Sequence, residues 1–155
     1  MNVLISDVTS YKAVVAAEFI KSHYPEVRLF TCDHRKLSKV LHTKYSDHHS
    51  AISAKPEDGK AYLEELDSLI RRYDIALWLP INSREMNLIM QSTQSISAGL
   101  HYLGSGAAYR QLNEKDSLHQ LAVQLGIQTP RLYENLKHAS YPCVLKPAVS
   151  SSSKG

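Results

Sequence analysis

The stretch NVLISDVTSYKAVVAAEFIKSHYPEVRLFTC, residues 2–32, decides the fold. It starts with a short apolar run at 2–6, continues through a turn-like segment into a helical pattern, and ends in a second apolar run at 27–32. In the helical pattern, Ala13 and Ala17 lie on one apolar stripe. A strand, a helix and a second strand in this order predict two parallel strands with a right-handed crossover.

The same alternation continues along the first hundred residues. A helical pattern at 59–72 precedes IALWLP at 75–80, a nearly all-apolar run that is typical of a strand buried on both faces. A further helix is predicted at 84–97 and a last strand at 101–104, whereas 33–58 gives only a weak signal with at most a brief strand. The alternation predicts an α/β fold with a doubly wound parallel sheet.

After residue 104 the alternation gives way to a different pattern. LNEKDSLHQLAVQLGIQTP predicts a helix with Asn113 as its N-cap and Gly126 just beyond its end. YPCVLKP at 141–147 predicts a strand. The sequence therefore predicts a first domain at 1–104, a linker at 105–112 and the beginning of a second domain at 113–155.

Composition narrows the functional classes. The chain is 43% hydrophobic and 21% charged, which is typical of an ordinary globular protein. The net charge of +3 comes from scattered basic residues, which argues against a nucleic-acid partner. No apolar run approaches the roughly 20 residues of a membrane span, so we expect no membrane partner and a cytoplasmic location. The two cysteines predict reduced, buried thiols, and a homodimer is left open.

Polar side chains follow two of the predicted strands. Asp7, Thr9 and Ser10 come directly after the first strand, and Asn82 and Glu85 come after the apolar run at 75–80. Because ligands of open α/β sheets bind at the carboxyl ends of the strands, these five residues are predicted to bind substrate. The alternatives are an N-cap role for Thr9 or Ser10, which is favoured, and a first-turn position for Glu85 that the helix dipole stabilises.

Neither nucleotide fingerprint is present. The chain contains no GxxxxGK[ST] pattern, and its first turn reads DVTSYK where a dinucleotide-binding domain has GxGxxG. The segment Asp47-His48-His49 predicts no metal site, because adjacent residues of an extended segment point to opposite faces.

Two lysines occupy unusual positions. Lys115 lies in the first turn of its predicted helix, where the helix dipole disfavours a cation. Lys146 precedes Pro147, which favours an extended conformation and fixes the direction of the lysine. An anionic ligand shared by both would explain these positions. The alternative is that Lys146 is a solvated strand-end lysine, and that Lys115 reaches solvent or pairs with Glu114 or Asp116.

The LGSG turn at 103–106, the helix that carries Lys115, the segment YPCVLKP and the terminal SSSSKG together resemble the start of an ATP-grasp ligase of the carbamoyl-phosphate-synthetase-like or biotin-carboxylase-like kind. The resemblance implies a Rossmann-like preATP-grasp domain followed by the beginning of an ATP-grasp subdomain. It implies ATP and Mg²⁺ as cofactors, with the metal ligands downstream of residue 155. The implied ATP-binding residues are Lys115, Lys146, Ser150, Ser151, Ser152, Ser153 and Lys154.

The resemblance also implies an activity. The intact parent would bind ATP and a carboxylate, form an acylphosphate and pass the acyl group to an amine or another nucleophile. The 155-residue chain alone would be an inactive fragment that contains no catalytic residue. Two alternatives remain: a small-anion-binding α/β module, and a scaffold domain that binds a partner without catalysis.

Overall fold

The computed structural model describes residues 1–34, 44–91, 96–97, 99–100 and 106–147. The chain divides into two compact units, Met1–Tyr102 and Leu103–Gly155. The strand predicted at 101–104 and the predicted phosphate loop, with Ser150 to Ser153 and Lys154, lie outside the described residues. The predicted domain boundaries stay predictions.

The first unit is a parallel α/β sheet with helices on both faces. Its elements are β1 (Asn2–Ile5), α1 (Tyr11–His23), β2 (Arg28–Asp33), β3 (His48–Ala51), a 3-10 turn (Pro56–Asp58), α2 (Lys60–Arg72), β4 (Leu77–Leu79), α3 (Ser83–Gln91) and β5 (Gly99–Leu100). The strand order is β3-β2-β1-β4-β5, and every described pairing is parallel. This order reverses direction between β1 and β4, as in doubly wound dinucleotide-binding folds. The prediction of a Rossmann-like α/β fold is therefore confirmed.

The period of two along each strand divides the core between the two faces of the sheet. On β1, Val3 and Ile5 pack with the α1 residues Ala13 and Ala17, whereas Leu4 belongs to the opposite face. That second face carries the larger cluster, formed with α2. Its buried members are Leu4, Phe30, Cys32, Ile52, Tyr62, Leu63, Leu66, Ile70, Ile75 and Trp78.

Strand β3 is the element of the sheet that the sequence indicates most weakly. It reads HHSA, and its side chains are half-buried or exposed. It pairs with β2 and forms one edge of the sheet, so it needs no continuous apolar run to be stable there. The sequence of β3 therefore lacks the apolar run by which the central strands can be recognised.

A buried carboxylate on α2 holds the segment that leads to β5. Asp67 accepts a hydrogen bond from the Ser97 backbone N–H at 2.7 Å and one from Arg71 Nε at 2.8 Å. Burial raises the pKa of Asp67, but the bonds from Ser97 and Arg71 outweigh burial and hold that pKa below its ordinary value. The ionised carboxylate therefore stabilises the fold above the usual carboxylate titration range, and this contribution is lost as the pH falls through the lowered pKa.

We expect Asp67→Asn to lower the free energy of unfolding by about 1 kcal/mol at neutral pH, because charge-assisted bonds become neutral ones. The loss should be smaller at about pH 2 than at pH 7, because Asp67 in the native protein becomes protonated only as the pH falls through its lowered pKa. Urea unfolding at the two pH values measures both quantities. Asp74→Asn is the matched control, because Asp74 is exposed and its φ of 49° suits asparagine. An equal loss at both pH values would contradict the ionic role of Asp67.

The described residues of the second unit, 106–147, form two helices, α4 (Gly106–Asn113) and α5 (Lys115–Gln124), and a 3-10 turn (Leu136–His138). Asn113 ends α4, and Glu114 is the N-cap of α5, so the prediction of Asn113 as the N-cap is wrong. The end of α5 is as predicted: Gly126 has a φ of 69°, and the Ile127 N–H bonds to the Ala122 carbonyl at 2.9 Å.

The predicted strand at 141–147 is wrong. The segment makes no strand in the structure, and Val144 and Leu145 are 79% and 76% exposed. A short apolar run becomes a strand only when a neighbouring strand completes its backbone hydrogen bonds, and the described residues of this unit contain no such strand. Across the described part of the chain, no helix is long and apolar enough to cross a bilayer.

Candidate functional site

The candidate site is the edge of the sheet where β1, β2 and β4 end. β1 ends at Ile5, β2 at Asp33 and β4 at Leu79, and the strand order reverses between β1 and β4. In open parallel sheets, the connections on the two sides of such a reversal leave in opposite directions and open a crevice between them. A ligand in this crevice would meet the side chains that follow these three strands.

The loop after β1 is a tight turn into α1. The Asp7 carbonyl accepts a hydrogen bond from the Ser10 N–H at 3.0 Å, and Asp7 itself has a φ of 53°. This left-handed conformation favours glycine and costs a residue with a Cβ about 1 kcal/mol, although aspartate tolerates it better than most. Ser10 is the N-cap of α1, and its hydroxyl accepts a bond from the Lys12 N–H at 3.3 Å. The favoured alternative, an N-cap role for Ser10, is therefore what the structure shows.

Asp33 is the residue of this edge that the predicted site omits. It is the last residue of β2, and its side chain has no exposed surface. Its Oδ2 accepts a hydrogen bond from the Thr9 N–H at 3.2 Å, which joins the end of β2 to the first loop. His34 follows, with its Nδ1 at 3.5 Å from Asp33 Oδ1. The signal was present in the sequence, since an acid directly follows the apolar run at 27–32.

Asn82 and Glu85 form a capping box at the start of α3. Asn82 Oδ1 accepts a bond from the Glu85 N–H at 2.9 Å, and Glu85 Oε2 accepts one from the Asn82 N–H at 3.4 Å. Glu85 Oε2 also accepts a bond from the Ile81 N–H at 3.2 Å. These bonds satisfy the backbone N–H group of Glu85 in the first turn and those of the two residues just before the helix. Glu85 therefore occupies the first turn of α3, which was the alternative to a ligand role in the sequence analysis.

Glu85 is also the centre of a buried polar network. Glu85 is 0% exposed, and its Oε1 accepts a hydrogen bond from the Tyr62 hydroxyl on α2. Trp78 Nε1 donates to Ser6 Oγ at 2.9 Å, and the Ser6 side chain also bonds Glu85. Burial raises the pKa of Glu85, although the bonds from Ser6 and Tyr62 oppose the rise. Burial and the Glu85 carboxylate likewise raise the pKa of Tyr62.

The two lysines singled out from the sequence lie in the second unit. Lys115 Nζ donates a hydrogen bond to the Pro147 carbonyl at 2.8 Å, so its ammonium reaches the residue next to Lys146. Lys146 is exposed and belongs to no strand, so the predicted strand that would carry it is absent. The binding roles assigned to these lysines and to the serine loop stay predictions, as do those of Asp7, Thr9, Ser10, Asn82 and Glu85. The described residues hold no group of three or more potential metal ligands.

Comparison with known proteins gives little sequence similarity. No protein-family model matches the chain, and no curated protein matches it. Among solved structures, the chain is similar to dTDP-glucose 4,6-dehydratase from Bacillus anthracis str. Ames in complex with NAD, at 11% identity and a TM-score of 0.39. The similarity covers 81% of this chain but only 34% of that one, so the chain spans about a third of that enzyme's length.

These comparisons correct the sequence-based assignment. The predicted membership of the ATP-grasp ligases, the ligase activity and the cofactors ATP and Mg²⁺ are contradicted: no protein-family model matches the chain, and the solved structure named above is a dehydratase in complex with NAD. The two non-catalytic alternatives gain no support either. The structure adds a physical reason: YPCVLKP, one of the segments that carried the resemblance, does not form the strand that the family pattern requires.

Proposed function

We propose that the first unit binds a ligand of the dinucleotide class at the carboxyl edge of its sheet, with Asp33 accepting hydrogen bonds from a ribose. The observation that carries the proposal is the buried Asp33 carboxylate at the end of β2, bonded to the loop between β1 and α1. In doubly wound folds an acidic side chain in this region binds the ribose hydroxyls, because a carboxylate is a strong acceptor for both.

The beginning of α1 supplies the complementary site for phosphate. Its first turn contains no acidic side chain, and Lys12 lies in that turn. Backbone N–H groups and the helix dipole favour an anion at this position, and Lys12 adds a positive charge. Because the Thr9 N–H bonds to Asp33, the loop that would face the phosphate and the acceptor for the ribose are held together.

The loop differs from the glycine-rich turn of most dinucleotide-binding domains, and its backbone compensates in part. Asp7 adopts the left-handed conformation that a glycine takes most readily. The turn is therefore tight without a glycine, at a cost in backbone strain of the kind that concentrates at binding sites. A side chain at this position also limits how closely a pyrophosphate approaches the backbone, so we expect weaker binding than a GxGxxG loop provides.

We expect Asp33→Asn to raise the dissociation constant for NAD⁺ about tenfold, because a charge-assisted acceptor for ribose hydroxyls becomes a neutral amide. Isothermal titration calorimetry with NAD⁺ tests this, since the molecule presents both a ribose and a pyrophosphate. Asp74→Asn, which changes an exposed carboxylate before β4, should leave the constant unchanged. Thermal unfolding of each variant shows whether it is folded. A native protein that does not bind NAD⁺, or a folded Asp33→Asn that binds equally well, would refute the proposal.

A further inference from the structure

We propose that Ser6 is a positioning residue for the dinucleotide site: its hydroxyl ties the loop after β1 to the loop after β4 and holds the turn that would face the phosphate. This inference rests on the proposed function and adds a residue that acts on the ligand only through the backbone of that turn. Ser6 directly follows β1, directly precedes Asp7 and is 0% exposed, so its side chain is out of reach of a ligand.

The hydrogen bonds of the Ser6 hydroxyl cross the point where the strand order reverses. Trp78 Nε1, on β4, donates to Ser6 Oγ at 2.9 Å. An indole N–H can only donate, so Ser6 accepts this bond and keeps its own hydrogen for Glu85, which it also bonds. Glu85 Oε2 in turn accepts bonds from the N–H groups of Ile81 and Asn82 in the loop after β4. One buried chain of hydrogen bonds therefore joins the loops on the two sides of the crevice.

The turn after Ser6 has a backbone conformation that needs such anchoring. Asp7 has a φ of 53°, which is unfavourable for a residue with a Cβ and persists only where the surrounding structure enforces it. Its neighbours Ser6 and Val8 are 0% and 1% exposed. Ser6 is held on the face of the sheet that carries Trp78, whereas Val8 packs on the opposite face in the cluster with Ala13. Asp7 is therefore fixed from both faces, and removal of the Ser6 hydroxyl releases it from one of them.

A turn that is already formed in the free protein makes ligand binding more favourable. The Thr9 N–H of this turn donates to Asp33 Oδ2 at 3.2 Å, and its Ser10 N–H donates to the Asp7 carbonyl at 3.0 Å. When the turn is held in this conformation, binding does not have to select it from others. If loss of the Ser6 hydroxyl leaves the turn formed in about a tenth to a third of the molecules, the dissociation constant rises by about threefold to tenfold.

The first measurement is calorimetric titration of the full chain with NAD⁺, in the native protein, in Ser6→Ala and in Ile70→Val. We expect Ser6→Ala to raise the dissociation constant by about threefold to tenfold and Ile70→Val to leave it unchanged. Ile70 is the matched control: it is 1% exposed in the cluster that contains Trp78, but it lies in the last turn of α2, at the edge of the sheet where β4 begins. If Ser6→Ala does not fold, Ser6→Cys replaces it, because cysteine keeps the size of serine and forms only weak hydrogen bonds.

The second measurement separates a positioning role from a general loss of stability. Amide hydrogen exchange, followed by nuclear magnetic resonance, reports the opening of the turn at Thr9 and Ser10 and the opening of the sheet at the amides of β2. In the free protein we expect Ser6→Ala to speed exchange in the turn about tenfold more than in β2, and saturating NAD⁺ to restore the protection. Ile70→Val should keep the native ratio of the two rates, because it acts on the core and not on the turn.

The outcomes separate the positioning role from the proposed function. A folded Ser6→Ala that binds NAD⁺ as tightly as the native protein, or an Ile70→Val that weakens binding to the same extent, overturns the positioning role and leaves the dinucleotide site standing. An exchange rate that rises equally in the turn and in β2 does the same. A native protein that does not bind NAD⁺ overturns the proposed function and the ligand role of the turn together, whatever the exchange rates are.

Discussion

Trp78→Ala is expected to lower the free energy of unfolding by about 3–5 kcal/mol, one of the two largest effects that we predict. Trp78 lies at the middle of β4 and is 0% exposed. It packs in the cluster with Leu4 and Phe30, and its Nε1 donates to Ser6 Oγ. Truncation removes the packing of a bicyclic ring and leaves the Ser6 hydroxyl without this donor. Domains of this size are stable by roughly 5–15 kcal/mol, so the variant should be close to unfolding at 37 °C.

Two further variants separate packing from hydrogen bonding at Trp78. Trp78→Phe keeps most of the ring but loses the N–H, so it should cost roughly 1–2 kcal/mol, as should Ser6→Ala. Because both changes remove the same bond, the double variant should cost less than their sum. Urea unfolding followed by far-ultraviolet circular dichroism is the measurement, since Trp78 is the only tryptophan in the chain and the variants lose its fluorescence. A loss below about 1 kcal/mol in Trp78→Ala would contradict the central position of this ring.

The sheet could be predicted from the sequence because its central strands are buried on both faces. The apolar runs at 2–6, 27–32 and 75–80 correspond to β1, β2 and β4, which are the three adjacent strands in the middle of the sheet. A strand that helices cover on both sides is apolar along its length, so it can be recognised in the sequence as a continuous apolar run. The edge strand β3 is under no such constraint, and its residues His48–Ala51 gave no clear pattern.

The structure of the second unit was predicted less well, because the prediction rested on local sequence patterns alone. Val144 and Leu145 were predicted to form a buried strand, yet both are exposed. Among the residues between 107 and 147 whose exposure is described, none is buried. Local sequence located the end of α5 at Gly126, although it misplaced the N-cap of the same helix at Asn113 instead of Glu114. Whether an apolar run joins a sheet depends on a neighbouring strand, which no local pattern reveals.

At the candidate site, too, local sequence predicted which residues lie at the edge of the sheet but not which side chains contact one another. Asn82 and Glu85 do lie at the carboxyl edge, as predicted, but the sequence did not decide between a ligand role and a first-turn position for Glu85, and it gave no sign of the capping box. The position of Asp33 directly after an apolar run was visible in the sequence, but its bond with the Thr9 N–H, 24 residues away in sequence, was not. A sequence pattern locates the edge of the sheet, whereas the pairing of side chains across that edge needs the fold.

Glu85→Leu is the other change with a large expected effect, and we expect it to lower the free energy of unfolding by about 3–5 kcal/mol. The substitution removes the acceptor of the Tyr62 hydroxyl and of the Ile81 and Asn82 N–H groups. Each buried donor left without a partner costs about 1–3 kcal/mol, and loss of the capping box adds to this. The side chains of Tyr62, Trp78 and Glu85 are all buried, so water cannot easily replace the lost acceptor. Urea unfolding at neutral pH measures the loss.

Glu85→Gln isolates the charge, because glutamine keeps an acceptor for the N–H groups of Ile81 and Asn82. Burial raises the pKa of Glu85 above its ordinary value of 4.5, so the folded state favours the protonated form. A raised pKa contributes stability that is fully present below pH 4.5 and is lost as the pH rises through the folded-state pKa. We therefore expect the native protein to lose stability relative to Glu85→Gln between pH 4 and pH 8, by an amount that urea unfolding at both values gives directly. If the native protein instead gains stability over the variant across this range, the four hydrogen-bond donors around Glu85 outweigh its burial, and the carboxylate is held ionised in the core.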